Sequence, residues 1–210
     1  YKDKVLRYLF TEYQRGRTPN PDVMCNREIK FNIFLKRARA EGADGIATGH
    51  YARIRKDAEG VCHLLKGKDP MKDQSYFLAM LDQRHLKHVV FPVGGFVKTE
   101  VRALAKKIGL PNADRPDSQG ICFVGDVPMT EFLQQKIRPR RGDVVDTSGK
   151  ILGQHSGVYY YTIGQRRGVN IGGGPALYVI DKDIKRNRLI VGSVNQLELY
   201  KKEITVSQWQ

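Results

Sequence analysis

Apolar residues recur at helical spacing in the first two-thirds of the chain. In residues 26–40 (NREIKFNIFLKRARA), Ile29, Ile33, Phe34 and Ala38 fall near one face, basic residues occupy the rest, and Gly42 ends the run. SYFLAMLDQRHL predicts a second helix. TEVRALAKKIGL predicts a third, with Val101, Leu104, Ala105 and Ile108 at i, i+3, i+4 and i+7, Thr99 as N-cap and Gly109 just past its end. GIATGHYA contributes a short apolar strand, Ile46 to Thr48, that runs straight into Gly49-His50. Strands alternating with helices predict an α/β domain with a mostly parallel sheet. Ligands of such sheets sit beyond the carboxyl ends of the strands, the place Thr48-Gly49-His50 would occupy.

After about residue 138 the pattern shortens to β spacing. GDVVDTSGKILGQHSG reads as a hairpin turning at Thr147-Ser148-Gly149, VYYYTIG as a β-rich run, and ALYVIDKDIKRNRLIVGS as a second hairpin. The expected division is an α/β part over 1–135, a small β domain over 136–200 entered through Lys136, Arg138, Arg140 and Arg141, and one strand of something further over 201–210. The chain opens at Tyr1 without an initiator Met, a basic leader or an apolar signal core, so it is expected to start inside a longer protein.

Composition narrows the partners. Of 210 residues, 40% are hydrophobic, which is globular rather than disordered, and no stretch approaches the roughly eighteen consecutive apolar residues of a membrane helix. Lys and Arg total 36 against 22 Asp and Glu, a net charge of +14. That excess suits a polyanion, since each neutralised phosphate releases counterions, and it equally suits a basic but ordinary enzyme. Three widely spaced cysteines, Cys25, Cys62 and Cys122, argue against a secreted disulfide framework and for a reducing compartment. No CxxC occurs and the five histidines form no ligand pattern, so a zinc site is unsupported.

Four segments carry candidate chemistry. In RTPNPDVMCNREIKF, Asn20-Pro21-Asp22 is a turn sequence, and Cys25 falls at the expected start of the 26–40 helix. Unpaired N–H groups there, with Arg27 and Lys30, would stabilise a thiolate, and Asp22 is near enough to exchange a proton. A small buried cysteine at a loop–helix joint is the alternative. In DRPDSQGICFVGD, Cys122 is bracketed by glycines that permit close approach, although a cysteine in an apolar ICFV run is by default a buried hydrophobe. Cys62, in VCHLL, reads as structural. In KDPMKDQSYFL, Lys72 suits phosphate and Gln74 can donate to and accept from a base edge, with a charged helix start as the plainer reading. In YYYTIGQRRGVNIGGG, aromatic residues beside Arg166-Arg167 suit an RNA-contacting loop or, equally, a strand followed by a solvated basic turn.

Taken together, NPDVMCN, ATGHYA, KDQSYFL, DSQGICF and YYYTIGQRRG, in this order, resemble the tRNA-specific 2-thiouridylases, and the resemblance runs from about Thr18 to Ser193. It implies the second half of a pyrophosphate-loop (adenine-nucleotide α-hydrolase-like) catalytic domain over 1–135, a central β domain over 136–200 and the start of a C-terminal β-barrel over 201–210. It implies ATP and Mg²⁺, which activate the C2 oxygen of the wobble uridine in tRNAs of the Lys, Glu and Gln type. Cys122 would carry sulfur as a persulfide delivered by a cysteine desulfurase or sulfur-relay protein. Cys25 would free that sulfur and end in a Cys25–Cys122 disulfide, with Asp22 as acid/base. Asn20 and Pro21 would flank the target base, Gly49 would contact ATP, and His50, Lys72, Asp73, Gln74, Arg166 and Arg167 would contact tRNA. A cytoplasmic setting without membrane attachment is implied. The family's SGGxDS loop is absent from this chain and expected upstream of Tyr1, so the segment alone is expected to be inactive. Two other readings remain: an RNA-binding scaffold with structural cysteines, or another sulfurtransferase of the same superfamily.

Overall fold

The computed structural model describes residues 2–115, 127–169, 171–172, 174–195 and 203. They group into two units, Tyr1–Arg7 with Asn20–Asp126, and Tyr8–Pro19 with Val127–Gln210.

A π-wound turn, Lys2–Leu6, leads into helix α1, Arg7–Gln14, whose residues from Tyr8 onward group with the second unit. The first unit is built around a long helical run. It starts as α2, Pro21–Cys25, widens to i→i−5 winding over Asn26–Phe34, and tightens again as α3, Leu35–Ala40. Asn20 caps it: its Oδ1 accepts the N–H groups of Asp22 at 3.1 Å and Val23 at 3.3 Å. Proline at the first helical position costs nothing, because that N–H would have no partner. The helix therefore begins five residues earlier than its apolar spacing predicts. The inward face is also different. Phe31 and Leu35 are buried, whereas Ile33 and Phe34 are half exposed. The wider winding takes more residues per turn, so a 3.6-residue period slips around the axis within two turns.

Phe31 and Leu35 pack into a core with Ile46, Ala52, Leu78, Val89 and Phe91. Strand β1, Ile46–Ala47, pairs parallel with β4, Val89–Val90, which matches the expected parallel α/β arrangement. Between them lies an antiparallel hairpin that the apolar pattern did not signal: β2, Ala52–Lys56, with β3, Cys62–Lys66. Strand β2 alternates apolar and basic residues over only five positions and β3, CHLLK, does not alternate, so neither stands out. The Asp57 carboxylate closes the turn by accepting the Val61 N–H at 2.8 Å.

The second expected helix is broken. Ser75–Leu78 forms one 3₁₀ turn, and α4, Gln83–Leu86, starts afresh after Asp82, whose carboxylate accepts the Arg84 N–H at 2.9 Å. A short acidic side chain caps a helix better than it sits inside one. Helix α5, Lys98–Lys107, begins two residues before a Thr99 cap would allow. Instead, Glu100 reaches back to accept the Val97 N–H at 2.9 Å. The apolar stripe of α5 is only partly covered: Val101 and Ala105 are half-buried, whereas Leu104 is 50% and Ile108 60% exposed.

The second unit holds α6, Met129–Gln134, and a four-stranded sheet in the order β6-β5-β8-β7. Strands β5, Gly142–Val145, and β6, Ile151–His155, form the first expected hairpin. Strands β7, Leu177–Asp183, and β8, Arg188–Ser193, form the second. The two hairpins join through parallel pairing of β5 with β8. Val144, Val179, Leu189 and Val191 fill the core, and Phe10 of α1 stacks on Phe132 at 5.5 Å. The expected β run VYYYTIG is instead a 3₁₀ turn over Val158–Tyr160. A strand points neighbours to opposite faces. The turn lets Val158, Tyr160 and Tyr161 all bury, with the Tyr160 hydroxyl donating to the Ile137 carbonyl at 2.5 Å. Among the described residues no helix is long and apolar enough to cross a membrane.

Candidate active site

The capped helix start carries the first group of site residues. Asn20 is exposed, Pro21 and Cys25 are buried, and Asp22 is half-buried. Cys25 is not at the first N–H groups of the helix but a full turn inside it, and it is only 6% exposed. The N–H groups at the positive end belong to Asp22 and Val23, and Asn20 occupies them. Arg27, expected to assist the thiolate, instead pairs with Glu28 at 3.3 Å and reaches the Met80 sulfur at 3.9 Å. Beside Cys25, Asn26 is buried and donates to the Phe77 carbonyl at 3.2 Å, while its Oδ1 has no partner.

A second group gathers where β1 ends. A cavity of about 430 Å³ is lined by Lys30, Phe34, Thr48, Gly49, His50 and Gln74. It thus brings Gly49 and His50 of the ATGHYA segment together with Gln74 of the KDQSYFL segment. Its position beyond the carboxyl end of a parallel strand is the one such sheets reserve for ligands. Gly49 is exposed, and a Cβ there would meet nothing within 4 Å. His50 forms the wall: its ring lies 5.7 Å from Phe31 and 5.9 Å from Phe91, and Nδ1 is 2.8 Å from the Thr48 hydroxyl. Burial, with the nearby Lys30 ammonium, pushes its pKa down to about 4, so His50 is a neutral ring at neutral pH.

The KDQ segment divides by role. The Gln74 carbonyl oxygen accepts the Tyr51 N–H at 3.0 Å, and the Gln74 N–H donates to the Tyr51 carbonyl at 3.0 Å, so Gln74 is clamped to the β1–β2 connection. Asp73 accepts the N–H groups of Gly67 at 2.9 Å and Ser75 at 3.2 Å, which holds its carboxyl below the usual carboxylate range against the opposing effect of desolvation. A side chain at Gly67 would meet the Tyr51 carbonyl at 2.5 Å, so the glycine is required for this close approach. Lys72 sits exposed on the preceding turn and outside the cavity lining. Sequence reasoning missed Asp69, buried beneath that turn, which accepts Met71 N–H at 3.0 Å and Lys98 N–H at 2.9 Å. It also placed Phe34 on the buried face, although Lys30 and Phe34 carry an i,i+4 signal that points to one shared wall.

Arg166 and Arg167 lie exposed in a loop of the second unit. Gln165 shapes it, accepting the Thr162 N–H at 2.9 Å and donating to the Arg167 carbonyl at 2.7 Å. Gly164, at φ 84°, donates its N–H to Val179 at 2.7 Å. Cys122 and the DSQGICF segment lie outside the described residues. Cys62 is buried in β3, as expected of a structural thiol. Among the described residues no three His, Cys, Asp or Glu side chains converge to hold a metal ion.

The two units and these segments define a nucleotide-type α/β domain joined to a small β domain. Residues 1–126 match the model of the tRNA methyl transferase HUP domain, and residues 130–193 match the PRC-barrel domain of the same family. The chain belongs to this family. It is 50% identical over 196 residues to a tRNA-specific 2-thiouridylase of Enterococcus faecalis, covering 91% of this chain and 52% of that protein. It is 52% identical over 192 residues to one from Listeria monocytogenes, with the same coverage. To that of Verminephrobacter eiseniae it is 58% identical over 174 residues, 82% of this chain and 47% of the relative. The chain thus spans about half the length of the relatives it matches.

Proposed function

We propose that this chain is the part of a tRNA 2-thiouridylase that presents the attacking cysteine and one wall of the nucleotide pocket. The observation that carries the reading is the capped Asn20–Cys25 helix start within the same unit as the Gly49–His50–Gln74 cavity, in a chain about half identical to proteins named for this activity. ATP with Mg²⁺, when bound, supplies adenylation of the uridine C2 oxygen. Gly49, which leaves open space at its Cα, and Lys30, which supplies a cation, are the residues suited to a nucleotide there.

Asp22, half-buried on the first turn of the Cys25 helix, takes the thiol proton. The Cys25 thiolate attacks the inner sulfur of a persulfide on Cys122, forming a Cys25–Cys122 disulfide and releasing the outer sulfur as sulfide. That sulfur adds to C2 and the activated oxygen leaves. An external dithiol reductant then reduces this disulfide by exchange, supplying two electrons and two protons that restore both thiols for the next turnover. A persulfide donor protein reloads Cys122, and Lys72, Arg166 and Arg167, exposed cations, hold the tRNA backbone.

The test is 2-thiouridine formation by the complete enzyme carrying this segment, with Cys25→Ser and Cys122→Ser made separately. Each should abolish turnover. Full activity in either variant overturns the two-cysteine mechanism and leaves the scaffold reading.

A further inference from the structure

The cavity beside Gly49 has a lining residue that the reading above does not use, Phe34, and it is a neighbour of Lys30 on the same helical run. Lys30 and Phe34, one turn apart on the helical run that begins at Asn20, both line it. Phe34 is 54% exposed, while its neighbour on the core side, Leu35, is 5% exposed. A single exposed aromatic is ordinary on a flat surface. Here the ring borders a concavity of about 430 Å³ whose lining also includes a glycine with open space at its Cα, leaving room for a flat group to approach. Among the described carboxylates none pairs with Lys30, and with His50 neutral, Lys30 is the one cation among the six lining residues. The Gln74 carbonyl is spent on Tyr51, which leaves its amide N–H₂ as a donor at the same wall. Aromatic face, cation, amide donor and bare backbone together suit a planar base attached to a phosphate.

We propose that Lys30 and Phe34 are nucleotide-binding residues, the Phe34 ring stacking on a base admitted to this cavity and the Lys30 ammonium receiving the phosphate of the same nucleotide. The inference rests on the tRNA-modifying reading for its choice of ligand. The shared chemistry, base plus phosphate, could come from a free mononucleotide or from one residue of an RNA strand.

The test uses the full 210-residue chain and an anticodon stem–loop RNA carrying an end label and 2-aminopurine at the wobble position. Anisotropy of the label reports binding, and quenching of 2-aminopurine reports stacking. Wild type should bind and quench. Phe34→Ala should lose the quenching and weaken binding about tenfold, with Phe34→Tyr keeping both. Lys30→Met should weaken binding about tenfold, with Lys30→Arg retaining most of it. Thermal midpoints should stay near wild type, because Phe34 lies outside the core. Added AMP that relieves the quenching assigns the cavity to a free nucleotide, and AMP without effect assigns it to the strand's own base. RNA bound with no quenching in wild type, or equal quenching and affinity in all variants, overturns the proposal. If wild type fails to bind the RNA at all, the tRNA reading fails first. AMP titration of the His50 ring NMR signals then decides the cavity: shifts lost in Lys30→Met sustain it, and no shift in wild type overturns it.

Discussion

His50 shows how one residue links the core to the site. Its ring is sandwiched near two phenylalanines, and burial favours the neutral form. The folded pKa is about 4 against 6.5 in an open chain, so the unfolded chain binds a proton that the folded one refuses between those values. The stabilisation is complete above pH 6.5 and is lost as the pH falls toward 4. Urea midpoints should therefore drop between pH 7 and pH 5, and the drop should shrink in His50→Gln. Gln74 is the second such residue. Gln74→Ala strands the buried-side Tyr51 N–H and should cost about 1–3 kcal/mol, with faster hydrogen exchange at Tyr51, whereas Gln74→Glu keeps the acceptor and most of the stability. A residue that only touched tRNA would show neither effect.

At the scale of elements, the start of the helix is what fixes where the cysteine sits. Asn20→Ala should lower stability by about 1 kcal/mol in chemical denaturation, and Asn20→Asp should restore it, since either side chain accepts from the first turn. In the second unit, Asn187 holds a left-handed conformation at φ 55° between β7 and β8, and its Nδ2 donates to the Arg140 carbonyl at 3.3 Å and the Arg141 carbonyl at 2.7 Å. Asn187→Ala loses both bonds and strains the backbone, so it should cost about 2 kcal/mol in denaturant melts of that unit. Asn187→Gly, which relieves only the strain, should cost less.

Over the whole molecule, charge is the property that acts. With a net charge of +14, RNA binding should weaken steeply with added salt, by about a thousandfold between 50 and 200 mM if some six phosphates are contacted. Filter binding or anisotropy across that range measures the slope. A slope near zero would remove the phosphate-contact role of the exposed Lys72, Arg166 and Arg167.

Local chemistry determined much of this chain by itself. Both β hairpins of the second unit follow from alternating apolar residues and turn signals. Asp146 illustrates it, accepting the Ser148 and Lys150 N–H groups at the turn the composition marked. The parallel strand ending at Gly49-His50 and the helix over 98–107 were legible for the same reason: each is a short-range pattern. The Asn20 cap was half legible, since a turn sequence and an N-cap with Pro after it look alike until the helix behind them is known. The phase of the helical run, the break at Asp82 and the turn over Val158–Tyr160 were decided by tertiary packing, because each depends on which side chains find a core. The same holds for the meeting of Lys30, Phe34, Gly49, His50 and Gln74, which lie as much as 44 residues apart and share a cavity through the β1–β4 pairing and the Gln74–Tyr51 clamp. No periodicity in a sequence encodes such a contact. It exists only once the buried faces of different segments have been satisfied against one another.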